Sequence, residues 1–251
     1  MKRDKNADTF NTDSASYAAF RPEYPAELFE FLAELCDDHL HVWDCACGNG
    51  QVSKSLVNYF SMVSATDISE NQLKNAYQHP FIKYSIQKSE HTDFTDNVFD
   101  LVCVAQALHW FEHELFFQEV NRVLKPGGIF ACWGYSFFSI DPLLDDIINT
   151  ILFEPLREYW SEKNKLLWNG YSDIQFPFKA LTVPEIKMSV EWNKTELIDY
   201  IMSWSAYKLY QEADEADIID SFLSETRLVW NDKRSRVVNM DFTFYCGRKE
   251  N

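Results

Sequence analysis

Between residues 41 and 133, short apolar runs alternate with stretches of helical periodicity, and this alternation constrains the fold more than any other feature of the chain. His41–Cys45, Met62–Thr66, Ile82–Ile86, Phe99–Ala105 and Ile129–Trp133 have strand length and apolar character. Val52–Tyr59, Glu70–Tyr77 and His113–Leu124, between them, have helical spacing. Strands this apolar, separated by helices, predict an α/β fold: a mostly parallel sheet buried on both faces, with right-handed crossovers. Ligands of such sheets bind beyond the carboxyl ends of the strands, where the strand order reverses.

The pattern changes after Tyr135. Residues 141–170 place Leu143, Leu144, Ile147, Ile148, Ile151 and Leu152 at helical spacing. Residues 171–185 hold Pro177 and Pro184 and read as a loop. Ile186–Trp192 alternates as a half-exposed strand does, Glu196–Tyr207 and Asp214–Val229 read as helices, and Val238–Cys246 gives a last strand. The expected organisation is one domain over 1–251. It has an N-terminal arm (1–25), a ligand-binding core (26–135), inserted helices with one strand (136–230) and a final strand (231–251).

The chain carries 23 basic and 39 acidic residues, a formal net charge of −16. Such a surface repels phosphate backbones and anionic membranes, so neither a nucleic acid nor a membrane is the expected partner. A cationic partner or a small molecule fits better, although an acidic surface also simply keeps a protein soluble. The six cysteines, mostly inside apolar runs, read as small core residues of a reducing compartment. No Cys-x-x-Cys or His-Glu-x-x-His pattern occurs, so no metal is expected. The first residues are polar with no apolar run behind them, and no apolar stretch approaches the ~18 residues of a membrane span. A cytoplasmic protein is expected.

With only 7 glycines in the chain, those present mark positions where other residues fit badly. Gly48 and Gly50 fall in Val42-Trp43-Asp44-Cys45-Ala46-Cys47-Gly48-Asn49-Gly50-Gln51, which leaves the first strand and opens a helix. Glycines there let backbone approach a ligand, and the helix start offers free N–H groups. The Gly-Lys-Ser/Thr of a phosphate-binding loop is absent. The dinucleotide fingerprint requires a third glycine where Ser53 stands. Asp44 would repel a pyrophosphate but suits a ligand with a cationic amine. Asp67, ending the second strand, is placed to accept the hydroxyls of an adenosine ribose, the alternative being a plain surface acid.

These residues, Asp44-x-Ala46-Cys47-Gly48-x-Gly50 and Asp67, with Leu124-Lys125-Pro126-Gly127-Gly128, resemble the class I S-adenosylmethionine-dependent methyltransferases. That family usually has glycine where Ala46 stands. Tyr17-x-x-Phe20-Arg21-Pro22-x-Tyr24-Pro25, Gln106-Ala107-Leu108-His109-Trp110-Phe111 and Ser203-Trp204-Ser205-Ala206-Tyr207 are similar to the trans-aconitate methyltransferase-like group, which acts on small molecules.

The resemblance implies a Rossmann-like sheet of seven strands, the last antiparallel, with the inserted helices covering the active site. It implies S-adenosylmethionine as cofactor. Asp44, Ala46, Cys47, Gly48, Asn49 and Gly50 would contact the methionine portion, Asp67 the ribose and Ile68 the adenine face. Ser89 and Glu90 would hold the adenine edge, and Gln106 would line the methionine end. Tyr17 and Arg21 would form a closing arm, Arg21 pairing the cofactor carboxylate or serving only as a surface arginine. His109 would act as base, orient the acceptor, or merely cap the next helix. Trp110, Trp204 and Tyr207 would wall the acceptor pocket or belong to the core. The acceptor is expected to be a small carboxylate, with Arg157, Arg227 or Lys208 as candidate counter-charges. An amine, a phenol or an apolar compound is the alternative. A binding module without turnover and a nicotinamide dehydrogenase are the rival functions.

Overall fold

The computed structural model describes residues 21–213, 217–231 and 234–250. Tyr17 and Phe20, and Asp214 and Glu215 near the start of the expected 214–229 helix, lie outside the described residues. The chain divides into two compact units, one of residues 23–135, 166–186 and 242–251, the other containing 21–22, 136–165 and 187–241.

The first unit opens with α1 (Ala26–Leu35), which Pro25 enters from an extended conformation and which buries Leu28, Phe29, Leu32 and Ala33. Then come β1 (His41–Cys45), α2 (Gln51–Leu56), β2 (Met62–Asp67), α3 (Glu70–Lys74), β3 (Ile82–Ile86), β4 (Phe99–Ala105), α4 (His113–Val123) and β5 (Leu124–Ser139). β1 pairs in parallel with β2 and β4, β2 with β3, and β4 with β5. The strand order β3-β2-β1-β4-β5 reverses between β1 and β4, which puts the switch point at Asp44–Cys45 and Ala105–Gln106. Alternation along each strand feeds two cores. Val42, Leu101 and Cys103 join the cluster with Leu28, Phe29 and Leu32 of α1, while Trp43, Cys45, Val102 and Val104 join that with Phe116, Phe117 and Val120 of α4. Trp43 is fully buried, and its indole N–H donates to Thr66 Oγ1 at 2.8 Å, so its burial leaves no polar atom without a partner.

β5 begins five residues before the expected Ile129. Phe99 pairs with Leu124 and Leu101 with Ile129, so Lys125–Gly128 forms an irregularity of the strand, with Gly127 at φ 75°. α7 (Asn164–Trp168) precedes a two-residue strand β6 (Lys179–Ala180) in the segment that read as a loop. β6 pairs antiparallel with β8 (Arg236–Arg248), Lys179 opposite Arg248. Among the described residues the sheet therefore has eight strands, with antiparallel pairing at its β8 side.

In the second unit the helix expected over 141–170 is broken. α5 (Pro142–Ile148) passes into a π-helical turn, Asn149–Phe153, then α6 (Glu154–Leu156) and a 3-10 turn, Arg157–Tyr159. Pro155 is the physical cause: it lacks an N–H and its ring crowds the carbonyl four residues back, which the wider turn accommodates. β7 (Met188–Trp192) pairs antiparallel with the first half of β8. The expected 196–207 helix is likewise two: α8 (Lys194–Met202), opened by a capping box of Asn193 and Glu196, and α9 (Ser205–Glu212). Trp204 is extended between them, φ −71° and ψ 139°. α10 (Ile218–Thr226) starts on Asp217, whose side chain caps its first N–H groups. Trp204 centres an aromatic core, its ring 5.3 Å from Tyr200, 5.4 Å from Trp160 and 6.0 Å from Phe153.

Among the described residues no helix is long and apolar enough to cross a membrane.

Candidate active site

The loop after β1 is built by backbone geometry that few residues tolerate. Ala46, Gly48 and Gly50 all take left-handed conformations, φ 54°, 55° and 80°. For Ala46 this costs roughly 1–2 kcal/mol relative to glycine. Cys47 N donates to Thr66 O at 2.9 Å, extending the β1–β2 ladder one step past the strand. Gly50 then serves as N-cap of α2.

Asp44 lies beneath this loop, 1% exposed. Its Oδ2 accepts a 2.6 Å hydrogen bond from Ser53 Oγ. Burial pushes its carboxyl up to about 7, against the lowering effect of Ser53. Among the described residues no Lys, Arg or His forms an ion pair with it. Ser53, the residue that broke the dinucleotide fingerprint, is thus the donor that holds Asp44.

Asp67 ties the loop to β2. Its Oδ2 accepts from Gly48 N at 2.9 Å and its Oδ1 from Ser69 N at 2.8 Å. Burial raises its carboxyl, and these two bonds oppose the rise. Each oxygen keeps a further lone pair for a ligand. Ile68 beside it is 72% exposed, an apolar side chain facing outward at the strand end. Asp44, the 46–50 loop, Asp67 and Ile68 therefore form one constellation.

Ser89 is buried, and Glu90 is partly exposed, with Oε1 accepting from Glu112 N at 3.2 Å. Sequence reading missed what holds their loop. Glu119 of α4 accepts from Thr92 N at 2.8 Å and from Arg122 Nη2 at 2.7 Å, while Arg122 Nη1 donates to Phe94 O at 2.7 Å. Burial opposes ionisation of Glu119, but the bonds from Arg122 and Thr92 outweigh it and lower its carboxyl. Glu119 and Arg122 are one helical turn apart, a spacing that does not distinguish them from an ordinary surface pair.

Gln106 ends β4 in a left-handed conformation, φ 56°. Its N donates to Trp133 O and its Nε2 to Tyr135 O, both at 2.9 Å, so its amide is turned onto β5. His109 sits in a 3-10 turn, Leu108–Trp110, and is 5% exposed. It does not cap the next helix: the N-cap of α4 is Glu112. Its Nδ1 lies 3.4 Å from Tyr171 Oη, and Tyr171 is itself buried and left-handed, φ 57°. The Trp110 ring is 5.0 Å from His109.

Three assigned residues belong to the second unit. The Arg21 guanidinium lies 5.3 Å from the Tyr200 ring centroid, a cation–π distance. Trp204 and Tyr207 are each 3% exposed, and Tyr207 Oη accepts from Gln211 Nε2 at 2.8 Å. Tyr17 lies outside the described residues.

The constellation suits S-adenosylmethionine. A buried carboxylate without a cationic partner calls for the ammonium of an amino-acid ligand, and Asp67 with exposed Ile68 suits a ribose and a flat base. Comparison with known proteins agrees. A profile described as a methyltransferase domain matches residues 43–132. A methyltransferase-like protein of Schizosaccharomyces pombe is 30% identical over 219 residues, 82% of this chain and 85% of that protein. A Saccharomyces cerevisiae protein named as an S-adenosylmethionine-dependent methyltransferase is 25% identical over 86% of this chain and 88% of its own length. The solved structure of a type II methyltransferase from Anaeromyxobacter dehalogenans superposes with a TM-score of 0.86 at 30% identity, covering 92% of this chain and 99% of that one. On this shared sequence, fold and strand-end constellation, the chain belongs to the S-adenosylmethionine-dependent methyltransferases, and S-adenosylmethionine is its cofactor.

Proposed function

We propose that the chain transfers the methyl group to a small-molecule carboxylate, with the strand ends of β1, β2 and β4 as the cofactor site. The observation that carries the placement of the site is Asp44, a buried carboxylate without a cationic partner among the described residues. Bound there, S-adenosylmethionine supplies an electrophilic methyl on a sulfonium, so the protein's task is alignment and exclusion of water. Asp44 would hold the ammonium, and the 46–50 loop the rest of the methionine portion. Asp67 would accept from the ribose hydroxyls while Ile68 covers the adenine. Ser89 and Glu90 would meet the adenine edge, and Gln106 would shape the methionine end through its fixed amide.

A carboxylate acceptor arrives ionised and needs no general base. His109 is nearly buried, with its Nδ1 3.4 Å from the Tyr171 phenol oxygen, which orients the imidazole. His109 would then orient the acceptor by hydrogen bonding, with Trp110 beside it excluding water. The roles of Tyr17, Arg21, Trp204 and Tyr207 rest on the similarity to the trans-aconitate methyltransferase-like group.

The test is methyl transfer from labelled S-adenosylmethionine to a panel of small carboxylic acids, amines, phenols and apolar alcohols. Base-labile methyl ester formed from carboxylic acids is the expected product. Turnover confined to amines or phenols would overturn the acceptor assignment, and saturable cofactor binding without any turnover would make the chain a binding module.

A further inference from the structure

The edge strand β3 contributes one side chain to the loop under Gly50 that neither the sequence nor the family resemblance assigns. β3 pairs with β2 so that Tyr84 stands opposite Ala65. From there its ring reaches across to Gly50. A Cβ at Gly50 would lie 3.1 Å from Tyr84 Cζ and would clash outright with the phenol oxygen, so the side chain occupies the space that Gly50 leaves empty. Tyr84 Oη donates to Tyr77 O at 2.7 Å, and Tyr77 N in turn donates to Asn49 O at 3.0 Å. The phenol also interacts with the Ser53 side chain, which donates to Asp44. Burial, with Cys47 and Asp44 nearby, pushes the phenol well above its ordinary range, so it remains a neutral donor at working pH. One hydroxyl thus fills the space at the left-handed turn, holds the segment that pins Asn49, and lies near Ser53, which holds the buried carboxylate.

We infer that Tyr84 is a positioning residue for the amino-acid portion of the cofactor, acting through Gly50 and Ser53 on the 46–50 loop and Asp44. This rests on the proposal that this loop and Asp44 hold the methionine portion. Tyr84 has no role toward the adenosine, which the proposal gives to Asp67, Ile68, Ser89 and Glu90. The inference therefore separates two ligands. S-adenosylhomocysteine carries the amino-acid portion; 5′-methylthioadenosine lacks it.

Calorimetric titration of the full chain with each ligand tests it. Tyr84→Phe keeps the ring and removes the hydroxyl. It should weaken S-adenosylhomocysteine about 5- to 10-fold, the usual effect of one lost hydrogen bond, and leave 5′-methylthioadenosine within about 2-fold. Gly50→Ala should weaken S-adenosylhomocysteine more, and adding Tyr84→Phe to it should recover part of that loss, because the phenol oxygen is the atom the new methyl meets. Unchanged binding of S-adenosylhomocysteine to Tyr84→Phe overturns the inference. So does an equal loss for both ligands, which would mark Tyr84 as a general support of the fold. Asp44→Asn separates the two levels of argument. If it binds S-adenosylhomocysteine as wild type does, the placement of the methionine portion fails; if it binds weakly while Tyr84→Phe binds normally, only the role of Tyr84 fails.

Discussion

Replacing Asp44 by asparagine should stabilise the ligand-free chain above neutral pH while weakening S-adenosylmethionine binding. The carboxyl moves from an ordinary value of 3.8 to about 7 in the folded state, chiefly through burial. That displacement makes ionisation in the folded chain cost about 4 kcal/mol more than in the unfolded chain. The sign follows from proton counting. Between about pH 4 and 7 the folded state holds a proton that the unfolded state has lost, so stability falls as pH rises through this window. Below it the contribution of Asp44 is complete; above about pH 7 it is gone. Asparagine cannot ionise and escapes the cost, yet its carbonyl still accepts from Ser53. Its amide needs a partner in the same buried place, which offsets roughly 1–3 kcal/mol. A net gain of ~1–3 kcal/mol at pH 8 is expected, shrinking toward pH 5. Urea unfolding of both proteins from pH 5 to 8.5 measures it, and calorimetry at pH 8 should show cofactor affinity reduced at least 10-fold. A stability difference that stays constant across this pH range would refute the reasoning, because Asp44 would then ionise in the fold without penalty. The opposition of stability and binding is what the proposed role of Asp44, a ligand-binding charge in a dry site, entails.

Three further perturbations probe the same site. Asp67→Ala removes the acceptor for Gly48 N and Ser69 N together with the proposed ribose contact, so cofactor affinity should fall by ~1–3 kcal/mol in a titration; unchanged affinity would refute the ribose role. Ala46→Gly relieves a left-handed alanine and should raise stability by up to about 1 kcal/mol in urea unfolding, less the entropy glycine adds to the unfolded chain. His109→Ala should lower turnover with cofactor affinity intact; equal turnover would leave His109 with only its place beside Tyr171.

Much of this site was legible because it is local. Asp44, Ala46, Gly48 and Gly50 are bound to one another by a turn with three left-handed positions, which favours glycine and small residues, so their types and spacing announce it. The strands β1, β3 and β4 could be bounded to the residue because their apolar runs end at polar or turn residues. The failures were of the opposite kind. The apolar periodicity of 141–170 runs on through Pro155, although a proline inside a helix forces a local change of winding. β6 is two exposed residues whose strand character comes from β8 alone, and no property of Lys179 or Ala180 signals it.

Between residues 41 and 133 the sequence by itself determined the order of strands and helices, the strand-end loop and the acids that flank it, since each depends on neighbours in the chain. Tertiary structure alone decided which partner each acid has and what that does to its proton. Asp44 sits at about 7 because β1 is sealed between two helical layers, and Asp67 is held by Gly48 across 19 residues. It also decided that Glu119 and Arg122 clamp the Thr92 loop and that Tyr84 fills the space at Gly50. Desolvation and packing depend on what surrounds a side chain in space, and strand register, not chain spacing, brings those surroundings together.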